Sequence, residues 1–350
     1  MCDHLGLRAL RAQCAQKLAG VVMQILNVTL DGVECVVTTS NLGCSAWSAS
    51  SDRPICTVTM DELEGGAPDG GVFARGITSL LDSRGATLLC IGTSSGAIAV
   101  LHAEGSARSR HCPPELALSM LRRLQSGDSV DGERDVTTCL TSTADYLVRG
   151  NENGTVRSMR SAGLGVRDCD RESGTAGETP VVLFRGVGAP CNALSCFSKQ
   201  RCAAAFSCGH LRVFDLRTRA LLSETAAHGR SISAIAVLCD RGECASAFIA
   251  TVGHDSALRL WSAATGASAL ESPRTTTRAS GSAKEGGDPV PPLELCASAL
   301  APNSLFTGVQ FCAAASGDRG RDGDALPDVL TVSYDHHEIQ SWALASRGGK

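Results

Sequence analysis

A chain of 350 residues with a formal net charge of -4, 43% hydrophobic and 19% charged residues has the composition of a folded protein rather than a disordered or collagen-like one. The acidic balance argues against a surface built mainly to neutralise phosphates, although a local basic patch is compatible with it. No stretch approaches the ~20 continuous apolar residues of a membrane-spanning helix.

Short apolar runs broken by Gly, Ser, Asn and Asp predict strands and hairpins, with helical periodicity almost nowhere. Residues 8–19, RALRAQCAQKLA, read as a strand that suits closure of the fold and is preferred over a short amphipathic helix across 5–19, in which Leu7, Leu10, Cys14 and Leu18 share a face. Further along, a turn followed by an alternating strand ending in a bulky residue recurs. The six-residue step from polar turn to large apolar residue links Asn41 to Trp47, Ser95 to Leu101, Asn153 to Met159, Cys208 to Phe214 and Asp255 to Trp261. A sixth copy, VSYDHHEIQSWA, holds Ser333, Asp335 and Trp342 with one extra residue in the step. Most intervals between closing residues exceed the roughly 40–45 residues of one compact blade, so insertions are expected at 104–134, 163–179, 271–292 and 316–327. In the first of these, Leu116, Met120, Leu121 and Leu124 could line one face of a short helix. In the fifth repeat, SISAIAVL, SAFIATVG and ALRLWS read as three successive strands, with a fourth near 267–271 or after the following linker.

Seventeen cysteines follow no disulfide framework, include no CxxC pair and accompany no cleavable signal segment. Cys90 and Cys139 fall on inward-looking strand positions, which predicts reduced, buried thiols in a reducing compartment. GTSSG at Gly92–Gly96 matches the nucleophile elbow of hydrolases formally, but that motif requires a helix to follow. AIAVLHA, which follows here, reads as a strand. No phosphate-binding loop, dinucleotide fingerprint or metal-binding motif is present. Adjacent His336 and His337 point to opposite strand faces and suit no metal site. No catalytic, cofactor or metal residue is therefore assigned.

A strand pair closed by an Asp-containing turn and ended by Trp resembles the WD repeat, which builds an all-β propeller. The resemblance makes His228, Asp255 and Trp261 corners of a structural hydrogen-bond network. Gly253 replaces the Ser usual two residues before the Asp, so the network is expected to be incomplete. A catalytic His–Asp pair is the sharper alternative, but no nucleophile stands at recognisable spacing. Six repeats are visible, giving six blades, or seven if one is degenerate and hidden in 271–330, with residues 8–19 completing the last. The phrases LCIGTSSGAIAVLHAEG, YLVRGNENGTVRSM, CGHLRVFDLRT, IATVGHDSALRLWSAATG and VLTVSYDHHEIQSWA, in this order, resemble the small WD-repeat propeller family of the Y-shaped outer-ring scaffold of the nuclear pore. That resemblance implies a non-enzymatic scaffold at the nuclear envelope, bound to helical-solenoid nucleoporins, with neither nucleic acid nor membrane insertion. The alternative is an adaptor or peptide-binding subunit of another cytosolic or nuclear complex, for which Arg149, Arg212 and Arg259 would be candidates around a central channel.

Overall fold

The structure, a computed structural model, describes residues 21–48, 53–66, 73–82, 84–106, 115–124, 136–164, 180–186, 188–239, 246–264, 293–312, 328–334 and 339–342. Its strands form six antiparallel sheets, taken up in chain order. The first holds β1 (Val22–Leu30), β2 (Val33–Ser40), β3 (Gly43–Trp47) and β4 (Pro54–Thr59); the second β5 (Ala74–Leu81), β6 (Thr87–Thr93), β7 (Ile98–Ser106) and β8 (Glu115–Leu124). The third holds β9 (Thr137–Ser142), β10 (Tyr146–Asn151), β11 (Val156–Arg160) and β12 (Val181–Phe184); the fourth β13 (Cys191–Phe197), β14 (Arg201–Phe206), β15 (His210–Asp215) and β16 (Leu221–Ala226). The fifth holds β17 (Ile232–Cys239), β18 (Ser246–Gly253), β19 (Ala257–Ala264) and β20 (Glu294–Leu300); the sixth β21 (Phe306–Cys312), β22 (Asp328–Ser333) and β23 (Ile339–Trp342).

Each first strand touches the first strand of the next sheet, from β1 to β5 and on through β9, β13 and β17 to β21. The sheets are therefore blades set side by side with their first strands innermost, which is the β-propeller arrangement. Alternation along each strand sends neighbouring residues into different inter-blade layers. Leu89 and Ile91 join the core shared with blade one, whereas Leu88 and Cys90 join the core shared with blade three. Three further clusters fill the seams between blades three and four, four and five, and five and six. The bulky closing residue also shapes the outer edge. In blades one, two, four and five the outermost strand slips register beside Trp47, Leu101, Phe214 and Trp261, a bulge that lets the strand bend round the large side chain.

Of the two expected blade counts six holds, because the described part of 271–330 supplies the outer strand of the fifth blade and the inner strand of the sixth. The fourth strand of blade five takes the second of its two expected places, after the linker, at Glu294–Leu300. The helix expected within 104–134 is corrected: residues 115–124 are no helix. They form β8, pairing along β7 from Ile98↔Leu124 to Ser106↔Glu115. The helical spacing of Leu116, Met120, Leu121 and Leu124 loses to the open edge of β7, whose backbone groups need partners. Leu116 enters the blade-one seam and Leu121 and Leu124 pack towards blade three. A helix does occur where none is expected: α1 (Met60–Glu64) follows β4, with Thr59 and Glu62 forming a capping box and Met60 and Leu63 buried. The expected strand at 8–19, the segment 271–292, the segment 316–327 and all of 163–179 except residues 163–164 lie outside the described residues.

Candidate functional site

The densest polar cluster built from the repeat positions lies in blade five. The β16–β17 connection brings His228 over β18, and the β18–β19 turn brings Asp255 beside it. His228 Nδ1 stands 2.8 Å from Asp255 Oδ1, and His228 Nε2 stands 2.8 Å from Thr251 Oγ1. Trp261 Nε1–H donates to the same Thr251 oxygen at 2.9 Å. The second carboxylate oxygen of Asp255 accepts from the Gly229 amide at 3.1 Å and from Arg259 at 3.0 Å, while Arg259 also donates to the Ala227 carbonyl.

These distances fix where the protons sit. Asp255 can only accept when ionised, so Nδ1 of His228 carries a hydrogen. Burial lowers the His228 pKa despite the support of Asp255 and keeps the ring neutral, so Nε2 accepts from the Thr251 hydroxyl. Burial by itself would raise the Asp255 pKa, but hydrogen bonds and charge from His228, together with the Gly229 amide and Arg259, bring it below the usual carboxylate value. Donation thus runs one way, from indole to hydroxyl to imidazole to carboxylate. The His228 side chain is fully buried and both its nitrogens are occupied. The cluster ties the inter-blade connection to the hairpin and leaves no ring nitrogen to accept a substrate proton.

The sequence places a gap at Gly253, and the structure shows why a glycine stands there. A Cβ at 253 would lie 2.7 Å from His228 Nδ1, so the imidazole occupies that space. The hydroxyl comes instead from Thr251, one inward-facing position earlier on β18, and the network is complete.

The remaining closing residues occupy the same place in their blades, opposite a residue of the second strand. Trp47 pairs with Val36, Leu101 with Leu89, Met159 with Leu147, Phe214 with Cys202 and Trp342 with Val329. Trp47 donates to Thr38 at 3.1 Å and Trp342 to Thr331 at 2.9 Å, repeating the indole–hydroxyl contact of blade five. In blade six the partner is thus Thr331. The Ser333 hydroxyl is buried without a hydrogen-bond partner among the described residues, and Asp335 lies outside them.

Arg149, Arg212 and Arg259 are each engaged by neighbouring groups of the protein. Arg149 is buried on β10 and donates to Asn151 at 2.6 Å and to the Gly96 carbonyl at 2.9 Å. Arg212 lies 4.2 Å from the Phe184 ring and 4.5 Å from that of Phe206, and pairs with Glu224 at 2.6 Å. Arg259 belongs to the blade-five network. Ser94, in the GTSSG turn, accepts the Phe73 amide at 2.9 Å, and the strand β7 follows. Burial raises the Cys90 thiol to about 12, as expected of a cysteine acting as a small apolar side chain. Among the described residues no group of three or more His, Cys, Asp or Glu could hold a metal ion, and no helix is long and apolar enough to cross a membrane.

No family model and no curated protein matches the sequence. Among solved structures, 1189 chains match. One is the β-propeller domain of Cps50 (Swd1) from Myceliophteria thermophila, at 11% identity and a TM-score of 0.58, covering 93% of this chain and 83% of that one. At that identity the likeness concerns architecture alone, and it agrees with the propeller arrangement of the six sheets. The chain has a WD-repeat-like, six-bladed β-propeller fold.

Proposed function

We propose that this propeller is a non-enzymatic scaffold subunit of the nuclear pore outer ring, supporting nucleocytoplasmic transport through contacts with helical-solenoid nucleoporins. The observation that carries the binding half of this reading is the use of His228 and Asp255. The pair with acid–base geometry is consumed in holding two blades together, so what the molecule offers to others is its faces and edges. One such edge is β23, the last strand of a three-stranded sheet among the described residues, where the other blades have four. The assembly rests on the ordered run of repeat phrases, which resemble those of the small outer-ring propellers.

Affinity purification with cross-linking tests both halves, together with imaging of the tagged chain. Large helical-repeat nucleoporins in the eluate and a rim at the nuclear envelope are expected. A diffuse cytosolic signal without such partners overturns the pore assignment. The second reading, an adaptor in another complex, is favoured by exposed apolar side chains on blades five and six: Tyr334 at 77%, Leu300 at 69% and Ile339 at 42% exposure. It predicts a different set of cross-linked neighbours, with links concentrated near those three residues.

A further inference from the structure

Two thiols meet inside the seam between blades three and four. Cys139 sits on β9, the inner strand of blade three, and Cys191 opens β13, the inner strand of blade four. Their sulfurs are 3.8 Å apart, a separation that admits no third atom, and the residues are 1% and 0% exposed. What lets them come so close is a missing side chain. Gly150 on β10 stands opposite Cys139 in the register, and a Cβ added there would lie 2.6 Å from Cys139 Sγ and 2.7 Å from Cys191 Sγ. The two sulfurs thus fill the space over one bare α-carbon. The backbone is tied at the same level of the seam, because the Thr138 hydroxyl donates to the Cys191 carbonyl and the Cys139 thiol donates to that oxygen at 3.3 Å.

The pair is chemically unequal. Burial pushes the Cys191 thiol well above its ordinary value, and the neighbouring Cys139 adds to the rise. At Cys139 burial also acts upward, but hydrogen bonds with Cys191 and Thr138 and the positive charge of Arg75 outweigh it and bring the thiol below its ordinary value. Cys139 is therefore the first of the two to ionise, and the thiolate is the reactive form of a cysteine. Cys191 stands in contact with it as a second sulfur. Cys90, raised by burial with no such support, has neither feature. From the 3.8 Å separation, side-chain rotation has about 1.8 Å to close before the sulfurs reach the roughly 2.0 Å of a disulfide.

We propose that Cys139 and Cys191 form an oxidisable pair that hydrogen peroxide converts to a disulfide, stapling blade three to blade four across their inner strands. The Cys139 thiolate attacks one oxygen of the peroxide, so that an S–O bond forms as the O–O bond breaks, and the released hydroxide takes up a proton and leaves as water. The Cys191 sulfur, giving up its proton, then attacks the Cys139 sulfur and expels the hydroxyl group as a second water. Two thiols and one peroxide become one disulfide and two waters; the sulfurs lose two electrons and the peroxide gains them. Hydrogen peroxide suits a closed seam because it is little larger than water. The two cysteines are 52 residues apart in sequence, so the bond closes a long loop and restricts the unfolded chain. The inference concerns the seam itself and holds whichever assembly the propeller joins.

The test uses the purified full chain, reduced, freed of reductant and exposed to hydrogen peroxide, with the remaining thiols then blocked by N-ethylmaleimide. Peptide mapping by mass spectrometry without reductant should recover the peptides of Cys139 and Cys191 joined, and dithiothreitol should separate them. For a 52-residue separation in a chain of 350 residues, the oxidised protein should melt about 5 °C above the reduced one, and dithiothreitol should reverse the rise. Cys139→Ala should abolish both the link and the peroxide-dependent gain in Tm; comparing the variant with and without peroxide cancels the stability lost to the substitution itself. The mapping needs no variant, so it decides the question even if Cys139→Ala does not fold. Failure to recover the Cys139–Cys191 link would overturn the proposal, and so would a bond formed instead between Cys196 and Cys202, which are directly paired across β13 and β14. A link that leaves Tm unchanged would overturn the staple. Co-purification and imaging results do not bear on any of these readings.

Discussion

Replacing Thr251 by Val preserves the side-chain shape and removes one hydroxyl. Two buried groups then lose their partners. Trp261 Nε1–H is left without the acceptor 2.9 Å away, and His228 Nε2 without the donor 2.8 Å away. Trp261 is 5% and His228 6% exposed, so bulk water cannot take the place of the hydroxyl. A stranded buried polar group costs about 1–3 kcal/mol. Two of them, offset by the easier burial of a methyl than of a hydroxyl, give a net loss of about 2–4 kcal/mol. For 350 residues the unfolding entropy is on the order of 0.7 kcal/mol/K, so Tm should fall by about 3–6 °C. Urea unfolding and calorimetry read both quantities. Thr251→Ser supplies the control: it keeps the hydroxyl and removes a methyl, at about 0.8 kcal/mol. In a cycle with Trp261→Phe, which has no N–H to strand, the coupling should reach about 1 kcal/mol. If valine proves no worse than serine, the hydroxyl does not bridge indole and imidazole, and the one-way chain of donors described above is wrong.

Three further outcomes follow from neighbouring geometry. Stability should fall in acid in two steps. His228 is held neutral, below its ordinary value of 6.5, so its contribution is complete above that pH and is lost as the unfolded chain takes up the proton below it. Asp255, lowered from 3.8, adds a loss at lower pH still. Thermal melts between about pH 7.5 and pH 5.5 should show the first step, and His228→Asn should flatten it. Gly209→Ala should cost about 2–4 kcal/mol in urea unfolding: Gly209 has φ +82° and its added Cβ would sit 2.1 Å from the His228 carbonyl oxygen, combining strain with a backbone clash. Arg212→Ala should cost about 2–3 kcal/mol through loss of the Phe184 and Phe206 contacts and the Glu224 pair. Arg212→Lys should recover less than half of that by the same assay, because an ammonium lacks the planar fork.

The strands of blade five were legible because each is a short alternating run between turn residues, and the closing residues were legible because the turn and the third strand are contiguous in sequence. Interactions between strands were harder to read. Trp47, Trp261 and Trp342 find their threonines 9, 10 and 11 residues upstream, a spacing that varies with the length of the intervening hairpin turn and defeats any fixed offset from the aspartate. Strand β8 escapes sequence reading for a similar reason. Its leucines satisfy helical spacing as well as they satisfy alternation with a register slip, and only the exposed edge of β7 decides between the two. The capping box at Thr59 and Glu62 was a local signal and could have been found; the five residues of α1 were too few to show a period.

The dissimilarity of the repeats has a physical order. Two residues beyond the second-strand partner of each closing residue lies a single position, read from the register: Thr38, Ile91, Arg149, Ala204, Thr251 and Thr331. It is threonine in the three blades closed by Trp and something else in the three closed by Leu101, Met159 and Phe214. An indole brings an N–H into the core and must be given an acceptor there; a leucine, methionine or phenylalanine brings none, and a hydroxyl beside it would itself be stranded. Indole and hydroxyl therefore have to be gained or lost together, and a blade can drop both without losing its fold, because the inter-blade layers are filled by alternation along the strands. Three blades of this chain have the pair and three do not. The sequence can thus drift far from a repeat consensus while the propeller persists. The same argument makes Trp261→Phe alone less costly than Thr251→Val alone, since the first leaves a hydroxyl that still donates to His228 whereas the second strands an indole and an imidazole together.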